Sequence, residues 1–193
     1  MDEVIEKAQD FVLKKRGRDL FFGYEHAEKV RMNALYLSEV LGGNTHIVQL
    51  AAVLHDVAFD GKNLASYAIG SANDAKSFLM SLNYPEKETN RVMMIIKKHD
   101  SKVWQDNFKP ETLEEKIVAD AENIERLSPM GIFRHVAVCK SMAYSGKEII
   151  RSVVSQFEAD KNNLFFDATK SKVEFDKALL EQFVKRLLEQ SKL

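Results

Sequence analysis

The chain has 193 residues, of which 45% are hydrophobic and 30% are charged, a balance typical of one compact globular domain with a full core. We therefore expect a single domain over 1–193. The 28 basic and 29 acidic residues leave a net charge of -1. This balance argues against non-specific nucleic-acid binding, which depends on excess positive charge, and we expect no specific nucleic-acid binding.

The single cysteine, Cys139, excludes an internal disulfide and favours a reducing compartment. The N-terminal segment "MDEVIEKAQDFVLKKRG" is acidic and amphipathic, without the basic start and apolar core of a signal peptide. No later apolar run reaches the length of a membrane span. These features predict a cytoplasmic protein that does not enter a membrane.

Apolar residues recur at helical spacing along nearly the whole chain, which predicts an all-α fold. A first helix is predicted in "DEVIEKAQDFVLKK" and a second in "YEHAEKVRMNALYLSEVLGG", which ends at Gly42 and Gly43. The third begins at Asn44 or Thr45, both good N-cap residues, and contains "QLAAVLHDVAFDGK".

Further helices are predicted in the second half of the chain. They lie in "SANDAKSFLMSL", "PEKETNRVMMIIKKH", "TLEEKIVADAENIERL" and "PMGIFRHVAVCKSMAYSG", two of which open on a proline. The last helix covers about 171–190 and is expected to pack on the domain. Its apolar residues spaced for that packing are Phe175, Leu179, Phe183 and Leu187.

His55 and Asp56 stand side by side within an apolar helix, where each needs a partner to offset lost hydration. Adjacent helical residues point about 100° apart, yet two short side chains can still converge on one ion. Spacing alone favours a hydrogen-bonded structural pair. Half of a divalent metal site is the alternative.

Two other residues could complete such a site. His26 lies one turn into the second helix, and Asp120 lies in the apolar context "KIVADAENI", where a carboxylate is unfavourable unless it is paired or bound to metal. Two imidazoles and two carboxylates suit Mn, Fe, Ni, Co or Zn better than Mg.

The order "EHAEKVRMNALYLSE", "LAAVLHDVAFD", "MMIIKKHD" and "EEKIVADAENIERL" resembles the HD superfamily of metal-dependent phosphohydrolases, named for its H…HD…D signature. The chain is most similar to small stand-alone bacterial HD hydrolases, some of which are nucleotide pyrophosphohydrolases. The resemblance extends through a glycine-arginine segment, "MGIFRHVAV", to the C-terminal "FDATKSKVEFDKALLEQFVKRLLEQ". It implies an HD-domain helical bundle with a metal site at its centre.

The resemblance also assigns the metal ligands: His26 is the first histidine, His55 and Asp56 are the HD pair, and Asp120 is the last aspartate. Relatives often have Asp-Ala-Asp where this chain has an aspartate, an alanine and Glu122. We choose Asp120 because it keeps the aspartate, with Glu122 as the alternative. Dinuclear relatives carry two further histidines between the pair and the last aspartate. Only one histidine lies there, so one divalent ion is predicted.

The implied function is hydrolysis of a phosphate ester or anhydride of a nucleotide or similar small molecule by activated water. Asp56 and Asp60 are candidate catalytic residues, although Asp60 could instead cap a turn. His99 could act in catalysis or bind substrate phosphate, or simply end its helix in favour of the dipole. Arg31 and Lys62 are candidate phosphate-binding cations, or else surface charges.

Two other functions are compatible with the same signature. An HD scaffold could bind metal or nucleotide as a signalling module without useful turnover. Iron-dependent oxidation on this fold is disfavoured by the missing histidine. A homo-oligomer is compatible with the sequence, which does not specify the base, sugar or number of phosphates, because pocket shape sets those.

Overall fold

The computed structural model of the chain describes residues 3–60, 67–100 and 109–191, and all regular secondary structure in these ranges is helical. The all-α prediction is therefore confirmed. The helices of the described ranges are α1 (Glu3–Arg16), α2 (Tyr24–Leu41), α3 (Thr45–Leu54), α4 (Tyr67–Ser81), α5 (Glu86–Lys98), α6 (Leu113–Arg126), α7 (Pro129–Ser141), α8 (Gly146–Asn162) and α9 (Asp167–Ser191). Within the same ranges, no helix is both long and apolar enough to cross a membrane.

Several helix ends follow from local side-chain chemistry. The Asn44 side chain caps α3 by accepting a hydrogen bond from the Ile47 N–H at 3.1 Å. Gly42 adopts a φ of 85° at the end of α2, a backbone conformation that favours glycine. Pro129 is the first residue of α7, as predicted, whereas Pro85 stands one residue before α5.

Helix α8 was not predicted from the sequence. Its apolar residues nevertheless recur at helical spacing, at Ile149, Val153 and Phe157. A signal was present in the capping box, in which Ser145 and Glu148 bond reciprocally to each other's backbone N–H. The buried face comprises Val153, Gln156, Phe157 and Asp160.

Helix α3 lies at the centre of the core and packs against α1, α2, α5 and α6. Residues 50–54 are all fully buried, as expected for a helix that is apolar on more than one side. Helix α6 packs against α2, α3 and α5 and also contacts α7, α8 and α9. Polar residues at the end of α3 and along α6 are therefore placed deep inside the protein.

The last helix packs on the domain through a different face from the predicted one. Its buried apolar residues are Val173, Leu180 and Val184. Phe175, by contrast, is 80% exposed, and Leu179 and Phe183 are 47% and 46% exposed. The helix carries two apolar stripes, and spacing within one helix cannot decide which of them meets the neighbouring helices.

Candidate metal centre

The structure brings the first three predicted ligands together in the core. The Nε2 atoms of His26 and His55 lie 3.1 Å apart. Asp56 Oδ2 lies 3.5 Å from each of these nitrogens. Helix α2 supplies the first histidine, and the end of α3 supplies the pair, so the contact depends on the packing of α2 against α3.

Glu122, rather than Asp120, supplies the fourth side chain. Its Oε2 lies 3.3 Å from His26 Nε2 and 3.4 Å from His55 Nε2. The two acidic residues are two positions apart on α6 and therefore point about 200° apart. This geometry favours Glu122, the alternative that the sequence left open, over Asp120.

Asp120 is instead bound to the segment that leads into α9. Its carboxylate accepts hydrogen bonds from the backbone N–H groups of Phe165 at 3.0 Å and Phe166 at 3.1 Å. It also accepts one from the Thr169 hydroxyl at 2.6 Å. These three donors satisfy the carboxylate away from the histidines, so its role is structural.

We call His26, His55, Asp56 and Glu122 the central cluster, in which the two histidines are spaced to share an ion with Asp56 and lie at similar distances from Glu122. The separations given above are 3.1–3.5 Å. Donor atoms about 2.1 Å from one ion lie about 3.0 Å apart at right angles and about 3.4 Å apart at tetrahedral angles. Glu122 Oε2 and Asp56 Oδ1 are buried without a hydrogen-bond partner among the described residues. Such oxygens are unfavourable unless a proton or a cation binds them.

The outer nitrogen of His55 is hydrogen-bonded in a way that suits a metal ligand, whereas that of His26 has a carboxylate nearby but no hydrogen bond among the described residues. His55 Nδ1 lies 2.6 Å from the carbonyl oxygen of Ala52, which can only accept, so Nδ1 carries the proton and Nε2 faces the cluster. Glu125 Oε2 lies 3.5 Å from His26 Nδ1 and favours a proton on that nitrogen. Such outer partners set the tautomer and orientation of metal-binding imidazoles.

The side chains of the central cluster together favour a positive charge among them. Burial lowers the pKa of both imidazoles, but the surrounding carboxylates outweigh it and raise the pKa of His26 to about 10 and that of His55 to about 9. Burial raises the pKa of Asp56 and Glu122, yet neighbouring histidine and arginine charges hold it well below the usual range. Protons or a metal cation can supply this charge.

Arg134 connects the two carboxylates of the central cluster, a role the sequence analysis did not assign. Its guanidinium donates to Asp56 Oδ2 at 2.6 Å and to Glu122 Oε1 at 3.3 Å. The glycine-arginine segment "MGIFRHVAV" contained the signal. A Cβ atom on Gly131 would lie 2.5 Å from the carbonyl oxygen of Glu125, so glycine permits the close approach of α7 to α6 that positions this arginine.

A second buried arginine extends the network. Arg126 donates to Glu122 Oε1 at 2.9 Å and to Asp100 Oδ1 at 3.0 Å. The Tyr67 hydroxyl donates to the other oxygen of Asp100 at 2.7 Å. Spacing offered no clue to these residues, because they come from three separate helices or helix ends.

His99 also lies beside the central cluster. Its Nε2 is 3.7 Å from Asp56 Oδ1, and its ring centroid is 4.9 Å from that of His55. The carbonyl oxygen of Ile96 lies 2.6 Å from His99 Nδ1 and accepts a hydrogen bond from it. Burial and the charge of His55 lower the pKa of His99, which favours a neutral ring. Its Nε2 lies 3.2 Å from the Tyr67 hydroxyl, which can donate to it instead of to Asp100.

Two other predicted residues, Asp60 and Arg31, are placed differently from the prediction. Helix α3 ends at Leu54, so Asp60 does not share the helical face of Asp56, and it is exposed. Arg31 binds Glu28 at 2.6 Å and also Gln49, and it points about 140° around α2 from His26. Lys62 lies outside the described residues.

A small cavity of about 40 Å³ adjoins the central cluster at Asp56. Helices α7 and α8 form much of its wall. It therefore has room for water molecules or for one small group of a ligand next to the candidate metal site. The lining residues are Asp56, Phe59, Tyr67, Asp100, Arg126, Gly131, Ile132, Arg134, His135, Val138, Val153, Gln156, Phe157 and Asp160.

The fold matches solved structures over almost its full length. A Lactobacillus plantarum protein has a TM-score of 0.83 at 19% identity, covering 100% of this chain and 99% of that chain. An HD-superfamily hydrolase from Bacillus thuringiensis has a TM-score of 0.67 at 26% identity, covering 98% and 97%. Bacillus subtilis YpgQ in complex with ADP has a TM-score of 0.70 at 18% identity, covering 96% and 97%. No family model and no curated protein matched the sequence.

These similarities define the class of fold. The chain has the all-α fold of HD-superfamily proteins, with a central group of histidine and carboxylate side chains that could hold a metal ion. The resemblance seen in the sequence is thereby confirmed for the fold. More particularly, the neighbour at 26% identity is an HD-superfamily hydrolase.

Proposed function

We propose that the protein is a metal-dependent phosphohydrolase that acts on a nucleotide or a similar small phosphate compound. The observation that carries the proposal is the convergence of His26, His55, Asp56 and Glu122 beside a cavity. The structure of YpgQ in complex with ADP supports a nucleotide as the substrate class.

One divalent ion would be held by the central cluster. Its mixed nitrogen and oxygen donors suit Mn, Fe, Co, Ni or Zn better than Mg. When bound, such an ion supplies an acidified water and a positive charge for a phosphoryl oxygen.

The arginines have two roles in this proposal. Arg134 holds Asp56 and Glu122 at a fixed separation through its two hydrogen bonds, which preorganises the site before substrate arrives. Arg134 and Arg126 also line the cavity. Their donors could reach a phosphate group that competes with the carboxylates now paired with them, which are those of Asp56, Asp100 and Asp160.

His99 is the candidate proton acceptor. Its neutral imidazole presents Nε2 toward Asp56 Oδ1 at 3.7 Å, and a lone pair at that place could take a proton from an attacking water. Contact with a substrate phosphate is its second possible role. Asp60 is not proposed for proton transfer, because it is exposed.

The test is a hydrolysis assay of the purified protein loaded in turn with Mn, Co, Ni and Mg. Phosphate and pyrophosphate release would be measured with nucleoside mono- and triphosphates. His55→Ala and Asp56→Ala are expected to abolish turnover. The matched control is His46→Ala, which removes a histidine from the same helix α3 and is expected to retain activity.

Two outcomes would contradict the proposal. Hydrolysis that survives both His55→Ala and Asp56→Ala would place the reaction elsewhere. No release from any substrate with any metal, together with a rise in thermal stability on adding nucleotide, would identify a binding module without turnover.

A further inference from the structure

The buried face of α8 forms part of the cavity wall, next to the part that α7 forms. All four of its residues line the cavity, two of them apolar and two polar. Apolar side chains contact the faces of a ring, whereas polar groups read its edge. This wall is therefore built to discriminate among ligands. Its residues are Val153, Gln156, Phe157 and Asp160.

The amide of Gln156 is held in one orientation. Its Nε2 donates to Asp160 Oδ1 at 2.6 Å, and a carboxylate oxygen in that place can accept only from the nitrogen end of the amide. Arg126 Nη1 lies 3.7 Å from the same oxygen. The same oxygen of Asp160 is thus contacted by both the Gln156 amide and the Arg126 guanidinium.

The opposite end of the amide lacks a partner. Gln156 Oε1 is buried without a hydrogen-bond partner among the residues that the structure describes, and the whole residue is only 9% exposed. A buried carbonyl oxygen left unbonded is unfavourable, and such groups call for a specific explanation. At the wall of a cavity, the simplest explanation is a donor on the ligand.

The neighbouring side chains indicate the chemistry of that donor. Val138, Val153 and Phe157 also line the cavity, and their apolar surfaces suit the flat faces of a heterocycle better than a hydroxyl-covered sugar. Asp56 and Arg134 line the same cavity, so one molecule can contact both this wall and the central cluster.

We propose that Gln156 is a specificity-determining residue that accepts a hydrogen bond from an N–H donor on the base of a nucleotide substrate. This inference rests on the proposed function, because it takes the phosphate end of that molecule to lie at the central cluster. The base is then a recognised part of the substrate, and Gln156 is the side chain that bonds to it.

The test uses Gln156→Met, which keeps the length of the side chain but removes the acceptor. Ser155→Met, on the exposed side of α8, is the matched control. The substrates are the four common nucleoside triphosphates, their 2′,3′-dideoxy forms, and purine riboside triphosphate, whose base has no N–H donor.

We expect the wild type to prefer a base with an N–H donor over the purine riboside compound. Gln156→Met should lower kcat/KM for the preferred nucleotide about three- to tenfold, the effect of one hydrogen bond, through KM rather than kcat. It should also remove the discrimination against the purine riboside compound. Ser155→Met should change neither quantity.

The opposite results would overturn the inference. A wild type without preference for a base donor, an equal loss for all substrates in Gln156→Met, or a loss that depends on the sugar hydroxyls would each do so. Calorimetric binding of ADP, GDP, CDP and UDP without added metal separates this inference from the proposed function. If no nucleotide is hydrolysed, the proposed function fails, yet weaker binding by Gln156→Met would still support base recognition. Equal binding by both proteins would contradict it.

Discussion

Helix α6 carries four buried acidic residues, and two of them, on different sides of the helix, are used differently. On one side, Asp120 has three hydrogen-bond donors and connects α6 to the start of α9. On the other, Glu122 faces two imidazoles, and its Oε2 has no hydrogen-bond partner within the described part of the chain. Residue type and burial are similar, so neither distinguishes a structural carboxylate from a candidate ligand.

The hydrogen-bond partners make the distinction. A carboxylate whose oxygens are filled by backbone and hydroxyl donors has little capacity left for an ion. A carboxylate with a buried oxygen beside two histidines is stable only if protons or a cation approach it. The comparison between the two sides of α6 can therefore be tested by substituting each residue in turn.

The largest effect is expected from Glu122→Gln. The change removes a negative ligand while keeping the volume of the side chain. Metal affinity and kcat/KM should each fall by at least about a hundredfold. Substituting a residue that only supports a ligand costs about 10–100-fold, and loss of a ligand itself should cost at least as much. Calorimetric titration with Mn²⁺ and steady-state assays measure the two quantities. Metal binding at the wild-type level would remove Glu122 from the site.

The pH dependence of metal binding tests the same side of α6. Without metal, the raised pKa values of His26 and His55 favour a protonated imidazole pair at pH 7, and an ion must displace the proton held between the two Nε2 atoms. Affinity should therefore rise between pH 6 and 8, by up to about tenfold per unit for each proton displaced. Titration of Mn²⁺ in buffers of different ionisation enthalpy counts the protons, and a pH-independent affinity would be the contrary result.

The metal-free protein should show the reverse trend in stability. The pKa values of His26 and His55 in the folded state lie above the unfolded value of about 6.5. Their stabilising effect is therefore complete below that pH and is lost as the pH rises toward about 9 and about 10. Melting temperatures with EDTA should fall from pH 7 to pH 9.5. A rise over that range would mean that the histidines are buried in the neutral form.

A smaller effect, on stability alone, is expected from Asp120→Asn. The NH₂ end of the new amide cannot accept a hydrogen bond, so one buried backbone N–H that now donates to Asp120 loses its partner. We expect a loss of about 1–3 kcal/mol in the free energy of unfolding, measured by urea denaturation, with Mn²⁺ affinity within about threefold of the wild type. Loss of metal binding in a folded Asp120→Asn protein would reinstate Asp120 as the ligand.

The smallest effect is expected from Thr169→Val, which removes one donor to Asp120 and keeps the shape of the side chain. The hydroxyl bond is 2.6 Å long, and Thr169 is fully buried. A loss of about 1 kcal/mol is expected, with unchanged turnover. Additive losses in the double variant with Asp120→Asn would show that the two residues act independently, contrary to their contact.

Much of the architecture could be predicted because its signals are local. Apolar periodicity and capping residues such as Asn44 determine where most helices begin and end. His26, His55 and Asp56 could be chosen from the sequence, because a histidine-aspartate pair directly after an apolar helical run stands out and the H…HD…D order supplies its partner. Helix α8 was missed, although Ile149, Val153 and Phe157 recur at helical spacing and Ser145 caps its start.

Tertiary structure decided which side of each helix meets which neighbour. The rotation of α6 about its axis, set by packing against α2, α3 and α9, turns Glu122 toward the histidines and Asp120 away from them. The close approach at Gly131 brings Arg134 to the carboxylates, and the seating of α9 leaves Phe175 exposed. The sequence by itself determined the helices and the histidine-aspartate pair, since those depend on neighbours along the chain. The fourth side chain depends on contacts between helices distant in sequence, which only the folded protein brings together.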